Sequence, residues 1–149
     1  MKTVGTTQSI MYSFYDNSSI TTQLIVSGQA NQRLSAPSLI LDNNNNPHIV
    51  YFIKRDVNIG TNSGNYAVMY VGDANGDGNF TSSQVSTNST NPNDNSDNIF
   101  NAYVNGRPSI AINNTSSEIT IFYYADASSL TSFENWIVSA KGNGTTWHH

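Results

Sequence analysis

The residues best suited to chemistry stand together in one short string, Asp73-Ala74-Asn75-Gly76-Asp77-Gly78-Asn79. It carries the Asp-x-Asn-x-Asp-Gly opening of a calcium loop. In such a loop oxygens at positions one, three and five converge on a cation, a glycine at six permits the sharp turn, and a backbone carbonyl at seven adds a ligand. Asp73, Asn75 and Asp77 are therefore candidate side-chain ligands and Asn79 a candidate carbonyl ligand for Ca²⁺. Position nine is Thr81, and position twelve, where a bidentate acid is expected, is Gln84. Binding is expected to be weak, or to draw a carboxylate from Asp94 or Asp97 in the stretch that follows. The same residues suit a polar hairpin, where Asp, Asn and Gly are favoured by turn geometry alone.

Catalytic patterns are sparse. The chain has no Gly-x-Ser-x-Gly elbow, His-Glu-x-x-His pair or phosphate loop, the spacings that nucleophilic, zinc and phosphoryl chemistry need. The absence of Cys excludes thiol catalysis, disulfides and zinc-thiolate sites. Glu118 and Glu134 are the only two glutamates available as a glycosidase pair. His48 opens an apolar strand and is expected to be a packed histidine rather than a metal ligand. The aromatic side chains Trp136, Trp147 and Tyr103 can stack on sugar rings and are candidate carbohydrate contacts. Aromatics are equally the ordinary filling between packed sheets. No enzymatic activity is expected.

Charge narrows the partners. Six Lys+Arg against ten Asp+Glu, a net charge of -4, cannot build a surface that tracks nucleic-acid phosphates or a basic helix that lies on a membrane. No apolar run approaches the ~18 residues of a membrane span. No signal peptide is visible, because residues 1–15 lack an uninterrupted apolar stretch of about 7.

The period of the surrounding elements is two. Ile10–Tyr15, Gln23–Ser27, Pro37–Leu41, His48–Ile53, Tyr66–Val71, Pro108–Ile112, Ile119–Tyr124 and Trp136–Ala140 are rich in β-branched and aromatic residues and are bounded by Asn, Asp, Gly or Ser. His48–Ile53 and Ile119–Tyr124 are apolar on both faces, which predicts cover from both sides. Asn-Gly pairs at 75–76, 105–106 and 143–144 suit the positive φ of tight turns. The 22 Asn, 20 Ser and 14 Thr concentrate between these runs. The spacing predicts a single all-β domain over 1–149 with no helix.

The chain also repeats. Pro37-Ser38-Leu39-Ile40-Leu41-Asp42-Asn43 aligns with Pro108-Ser109-Ile110-Ala111-Ile112-Asn113-Asn114 at an offset of 71, without a gap to Phe52 and Tyr123. At an offset of 70, Asn65-Tyr66-Ala67-Val68 meets Asn135-Trp136-Ile137-Val138. The repeats are placed at about 10–33, incomplete, then 34–104 and 105–149, with insertions at Asp56–Gly64 and Thr81–Ala102.

The phrase from Pro37 to Phe52, followed by Asn65-Tyr66-Ala67-Val68-Met69-Tyr70, resembles blades of bacterial sialidase-like (BNR or Asp-box) β-propellers over roughly Arg33–Phe80 and Asn105–Trp147. Gly144-Thr145-Thr146-Trp147 matches the second half of the Asp-box turn, while Ala140 and Gly142 stand where its Ser and Asp belong. The resemblance implies propeller-like blades of short antiparallel strands. The same strands also fit a single β-sandwich. A sialidase would further require an arginine triad, and the chain has only Arg33, Arg55 and Arg107, the first and last at equivalent repeat positions. The asparagine-rich, weakly charged repeats lead to an extracellular or cell-surface structural or adhesive protein. It would assemble with itself, as a homo-oligomer or filament, through open sheet edges, with Lys2–Ser9 adding to a neighbour. The alternatives are a lectin-like module that binds glycans and, last, a fragment of a sialidase-like glycoside hydrolase.

Overall fold

The structure, a computed structural model, describes residues 2–4, 7–29, 32–55, 66–73, 75–86, 101–102, 107–126 and 135–149. They are all-β, with no helix, and form three small antiparallel sheets that do not close into a barrel. The first sheet holds β1 (Lys2–Val4), β2 (Thr7–Tyr15) and β3 (Ile20–Ser27). In the second, β4 (Gln32–Leu41), β5 (Pro47–Arg55), β6 (Tyr66–Gly72) and β7 (Thr81–Gln84) lie side by side in chain order. The third repeats that meander with β9 (Ser109–Asn113), β10 (Glu118–Asp126), β11 (Asn135–Gly142) and β12 (Trp147–His148), and β8 (Asn101–Ala102) pairs with the far end of β10.

Every run read as a strand is one. The differences lie at the polar edges. Thr81–Gln84, expected to open an insertion, is the fourth strand of the second sheet, where it pairs with Met69–Gly72. Its Thr-Ser-Ser-Gln sequence carries no apolar alternation because an edge strand needs only backbone partners. Within Lys2–Ser9, the segment expected to add to a neighbouring molecule, Lys2–Val4 folds back on Thr7–Ser9 of its own chain. The other insertion, 56–64, and Asn105-Gly106 lie outside the described residues.

The second sheet is the middle layer. On one face of β5 and β6, Val50, Phe52, Val68 and Tyr70 pack with Val85 against Ile110, Ile119, Ile121, Tyr123, Val138 and Ala140 of the third sheet. On the other face Ile49, Tyr51, Ile53 and Val71 join Leu34 against Ile10, Ile25 and Val26 of the first. β5 is thus covered on both sides, as its sequence predicts.

β10 departs from the same expectation. Ile119, Ile121 and Tyr123 are buried, whereas Phe122 is 43% and Tyr124 47% exposed. The offsets of 71 and 70 explain the difference. Val50 and its counterpart Ile121, Phe52 and Tyr123, and Val68 and Val138 all lie in one core. The two repeats therefore meet through corresponding faces, and among the described residues no layer lies on the opposite face of the second.

Candidate functional site

Each described hairpin opens with an Asp or Asn whose side-chain oxygen takes the amide hydrogens of its own turn. Asp16 Oδ1 accepts from the amides of Ser18 and Ser19 at 3.0 and 2.8 Å, and Asp42 Oδ1 from those of Asn44 and Asn46, both at 2.8 Å. Asn113 Oδ1 accepts from Thr115, and Asn143 Oδ1 from Thr145 and Thr146, all at 3.0 Å. Asp73 holds Asp77 N–H with one oxygen (3.1 Å) and Gly78 N–H with the other (2.9 Å). The turns would otherwise leave these donors unpaired, and a short side-chain acceptor two to five residues upstream satisfies them at little entropic cost. At Asp16 the Ser18 hydroxyl bond, with the Ser19 and Ser18 amides, holds the carboxyl down at about 2.

In a meander the first and third hairpins fall at the same end of the sheet, so the 42–46 and 73–80 turns lie together, as do 114–117 and 143–146. Contacts join the two pairs. Asn43 Nδ2 donates to the carbonyl of Asn114, its counterpart at offset 71, at 3.2 Å. Ser83 Oγ donates to the Gly144 carbonyl at 2.7 Å and accepts the Trp147 indole N–H at 2.9 Å.

Tyr70 is the hub beneath these turns. Its hydroxyl lies 2.6 Å from His48 Nδ1, and its ring meets Trp147 edge-on with centroids 5.3 Å apart. A Cβ on Gly72 would collide with the Tyr70 hydroxyl and stand 3.2 Å from His48 Nδ1, so only glycine permits this approach. His48 Nε2 faces Asp42 Oδ2 at 3.7 Å, beyond hydrogen-bond range, and is buried without a partner. Burial acts to raise the Asp42 carboxyl. The amides of Asn46 and Asn44, the Asn46 side chain and the nearby imidazole outweigh it and hold the pKa below the ordinary range. Burial, reinforced by the Asp42 charge, pushes the Tyr70 hydroxyl up to about 12. An Asp-His-Tyr sequence of this kind could in principle move a proton. Here the phenol is 1% exposed and enclosed by Gly72 and His48, and the three side chains pack and hydrogen-bond beneath the turns.

The candidate calcium loop is a compact turn. Asp73 is buried, while Asn75, Asp77 and Asn79 stand exposed around it. Gly76 and Gly78 have φ of +67° and +80°, as the loop pattern requires of position six and as the Asn-Gly pair requires. Asp77 Oδ1 accepts the Asn79 N–H at 2.9 Å, and this bond leads in lowering the Asp77 pKa. Thr81 Oγ1 donates to the Gly72 carbonyl at 3.4 Å, across the β6–β7 pair, and Gln84 Nε2 to the Ser86 carbonyl at 2.8 Å, just past the end of β7. Among the described residues no three His, Asp or Glu side chains converge on a point that could hold a metal. Asp94 and Asp97 lie outside the described residues.

The other candidates are dispersed. Trp147 is half-buried between the second and third sheets. Trp136 lies on β11 opposite Ala125, with its side chain outside the description, and Tyr103 and Glu134 fall outside it altogether. Glu118 and Lys141 form an exposed pair at 3.9 Å. Arg33 on β4 and Arg107 before β9 are both exposed. Sequence reading missed the His48–Tyr70 bond because 22 residues separate the partners. The turn caps, by contrast, are legible as an Asp or Asn followed two residues later by Ser, Thr or Asn. Comparison with protein-family models, curated proteins and solved structures finds no match to this chain.

Proposed function

We propose that this chain is a non-catalytic structural or adhesive β-repeat protein, extracellular or cell-surface, that associates with copies of itself. One observation carries the reading. The Asp or Asn that opens each described hairpin is engaged in closing its turn, while large apolar side chains, among them Leu24, Leu39, Phe122 and Ile137, face solvent on regular strands. Polar groups that maintain turns and apolar strand faces left open suit contact between molecules. The four-stranded meanders, with the Asn143–Thr146 turn joining β11 and β12, the third and fourth strands of the second repeat, support the propeller-like reading of the repeats. Sedimentation over a wide concentration range tests the association. Mass should rise with concentration, whereas a monomer throughout would overturn the reading.

Calcium belongs to the same proposal as a weak ligand of the Asp73–Asn79 loop. With a Kd of about 1 mM, roughly 10 mM calcium stabilises the native state by about 1.4 kcal/mol, a rise in Tm of roughly 3–6 °C. Asp77→Ala, at an exposed position, should abolish the rise. An unchanged Tm in the unsubstituted chain leaves the loop as a turn only.

A further inference from the structure

We propose that copies of this chain stack head to tail, the open face of the third sheet in one molecule seated on the open face of the first sheet in the next. The inference rests on the self-association just proposed and names the surfaces that carry it, which are sheet faces rather than edges.

The repeat supplies the first ground. Tyr51 and Ile53 on β5 are 2% and 6% exposed because the first sheet lies over them. Their counterparts at offset 71 are Phe122 and Tyr124, which keep the same apolar character in the same strand and are 43% and 47% exposed, with no sheet of the described residues over them. Ile137 pairs with Tyr124 across β10 and β11, so it extends the same face, and it is 70% exposed. The chain therefore shows what covers this strand face in its other repeat: an antiparallel sheet of the β2–β3 kind.

The opposite end of the stack supplies the second. The first sheet turns Tyr12 toward Phe80, with centroids 6.4 Å apart, and Gln23 toward the Gly78 carbonyl at 3.0 Å. Its other face carries Tyr15, Ile20 and Leu24, at 66, 74 and 53% exposure. Tyr15 lies opposite Ile20, and Met11 opposite Leu24, with the Ser13–Thr22 hydroxyl bond between the two pairs. No Lys, Arg, Asp or Glu interrupts that set. On the third sheet Lys141 and Glu118 pair with each other at one end of the strands, and Asp126 closes β10 at the other end, opposite Asn135. Two β faces whose middles carry aromatic and branched side chains, with the third sheet's charges confined to the strand ends, have the layout of an interface with an apolar core and a polar rim.

The two faces bound opposite sides of a three-layer stack. Seating one on the other leaves a free face of each kind, so the contact is heterologous and either closes a ring or continues as a filament. The edge strands β7 and β12, of 4 and 2 residues, offer little for strand pairing, and the longer edges are β3 and β4, of 8 and 10 residues.

The test uses the full chain and two substitutions at well-exposed positions, Ile137→Lys and Ile20→Lys. Circular dichroism verifies the fold, and Ile137→Thr and Ile20→Thr replace either variant that fails to fold. By sedimentation velocity, each variant alone should lose association by on the order of 30-fold or more in apparent Kd. An equimolar mixture should form a one-to-one dimer and nothing larger, because each variant retains the face the other lacks. Dimers of Ile20→Lys alone would show third sheets pairing with each other and overturn the head-to-tail contact. Both variants associating like the unsubstituted chain would also overturn it, while leaving self-association standing. A monomeric unsubstituted chain would overturn both.

Discussion

Tyr70→Ala is expected to lower stability by about 3–5 kcal/mol, the range for removing a large aromatic side chain from a core. Three contacts fail together. The ring is 1% exposed and packs in the core between the second and third sheets, it supports Trp147, and its hydroxyl holds His48 Nδ1. Gly144, whose Cβ would stand 2.9 Å from Tyr70 Cε1, shows how closely the ring is enclosed. Tyr70→Phe separates packing from hydrogen bonding. It keeps the ring but leaves both nitrogens of a buried imidazole without partners, at a cost of about 1–3 kcal/mol. Urea denaturation of the two variants checks both figures. A loss under about 1 kcal/mol for the alanine variant would mean that the two sheets do not depend on this ring.

Alkaline pH is expected to unfold the protein well before its backbone is chemically damaged. Burial raises the pKa of Tyr51 and Tyr123 above the ordinary phenol value of 10, and burial with the Asp42 charge raises Tyr70 to about 12. Between these values the unfolded chain has lost phenolic protons that the folded chain still binds, so stability falls as pH rises. The contribution is fully present below pH 10 and is lost as pH climbs through the folded values. Tyr70 alone accounts for on the order of 2–3 kcal/mol of that loss. Melting temperature followed from pH 9 to 12 should drop steeply above about 10, with part of the tyrosinate absorbance appearing only on unfolding. A flat melting temperature across that range would contradict the burial of these hydroxyls.

The acidic side behaves in the opposite sense. Asp42 has a depressed folded pKa, so its stabilisation is present above the unfolded value near 3.8 and disappears as pH falls through the lower folded one.

Much of this architecture was legible in the residues. Alternation in runs such as His48–Ile53 establishes strands without reference to any partner, because the pleat sends successive side chains to opposite faces. The Asn-Gly pairs mark Gly76 and Gly144, whose φ of +67° and +93° a side chain would strain. The repeat anticipates that two segments form the same four-stranded meander. The candidate calcium loop was equally visible, since its pattern is local. Thr81–Gln84 escaped because a polar edge strand is held by backbone bonds alone, which leave no trace in side-chain pattern.

Which face of each strand is covered was decided only by tertiary structure. Leu39 and Ile110 are counterparts at offset 71, yet Leu39 is 51% exposed and Ile110 is in the core. Leu41 pairs with Pro47 around a turn of residues 42–46, whereas Asn113 pairs with Glu118 around 114–117. That one-residue difference in hairpin length shifts the register of β4 relative to β9 and turns Leu39 outward, because side chains alternate with a period of two. Phe122 and Tyr51 differ for a related reason: sequence specifies that both are apolar, but cover depends on which sheet lies opposite. The Asp42, His48 and Tyr70 cluster likewise exists only because the β4–β5 turn closes over β6. Alternation is a property of one strand, while register, cover and side-chain meeting are properties of pairs of strands and layers, set by turn lengths and long-range packing that no local pattern encodes.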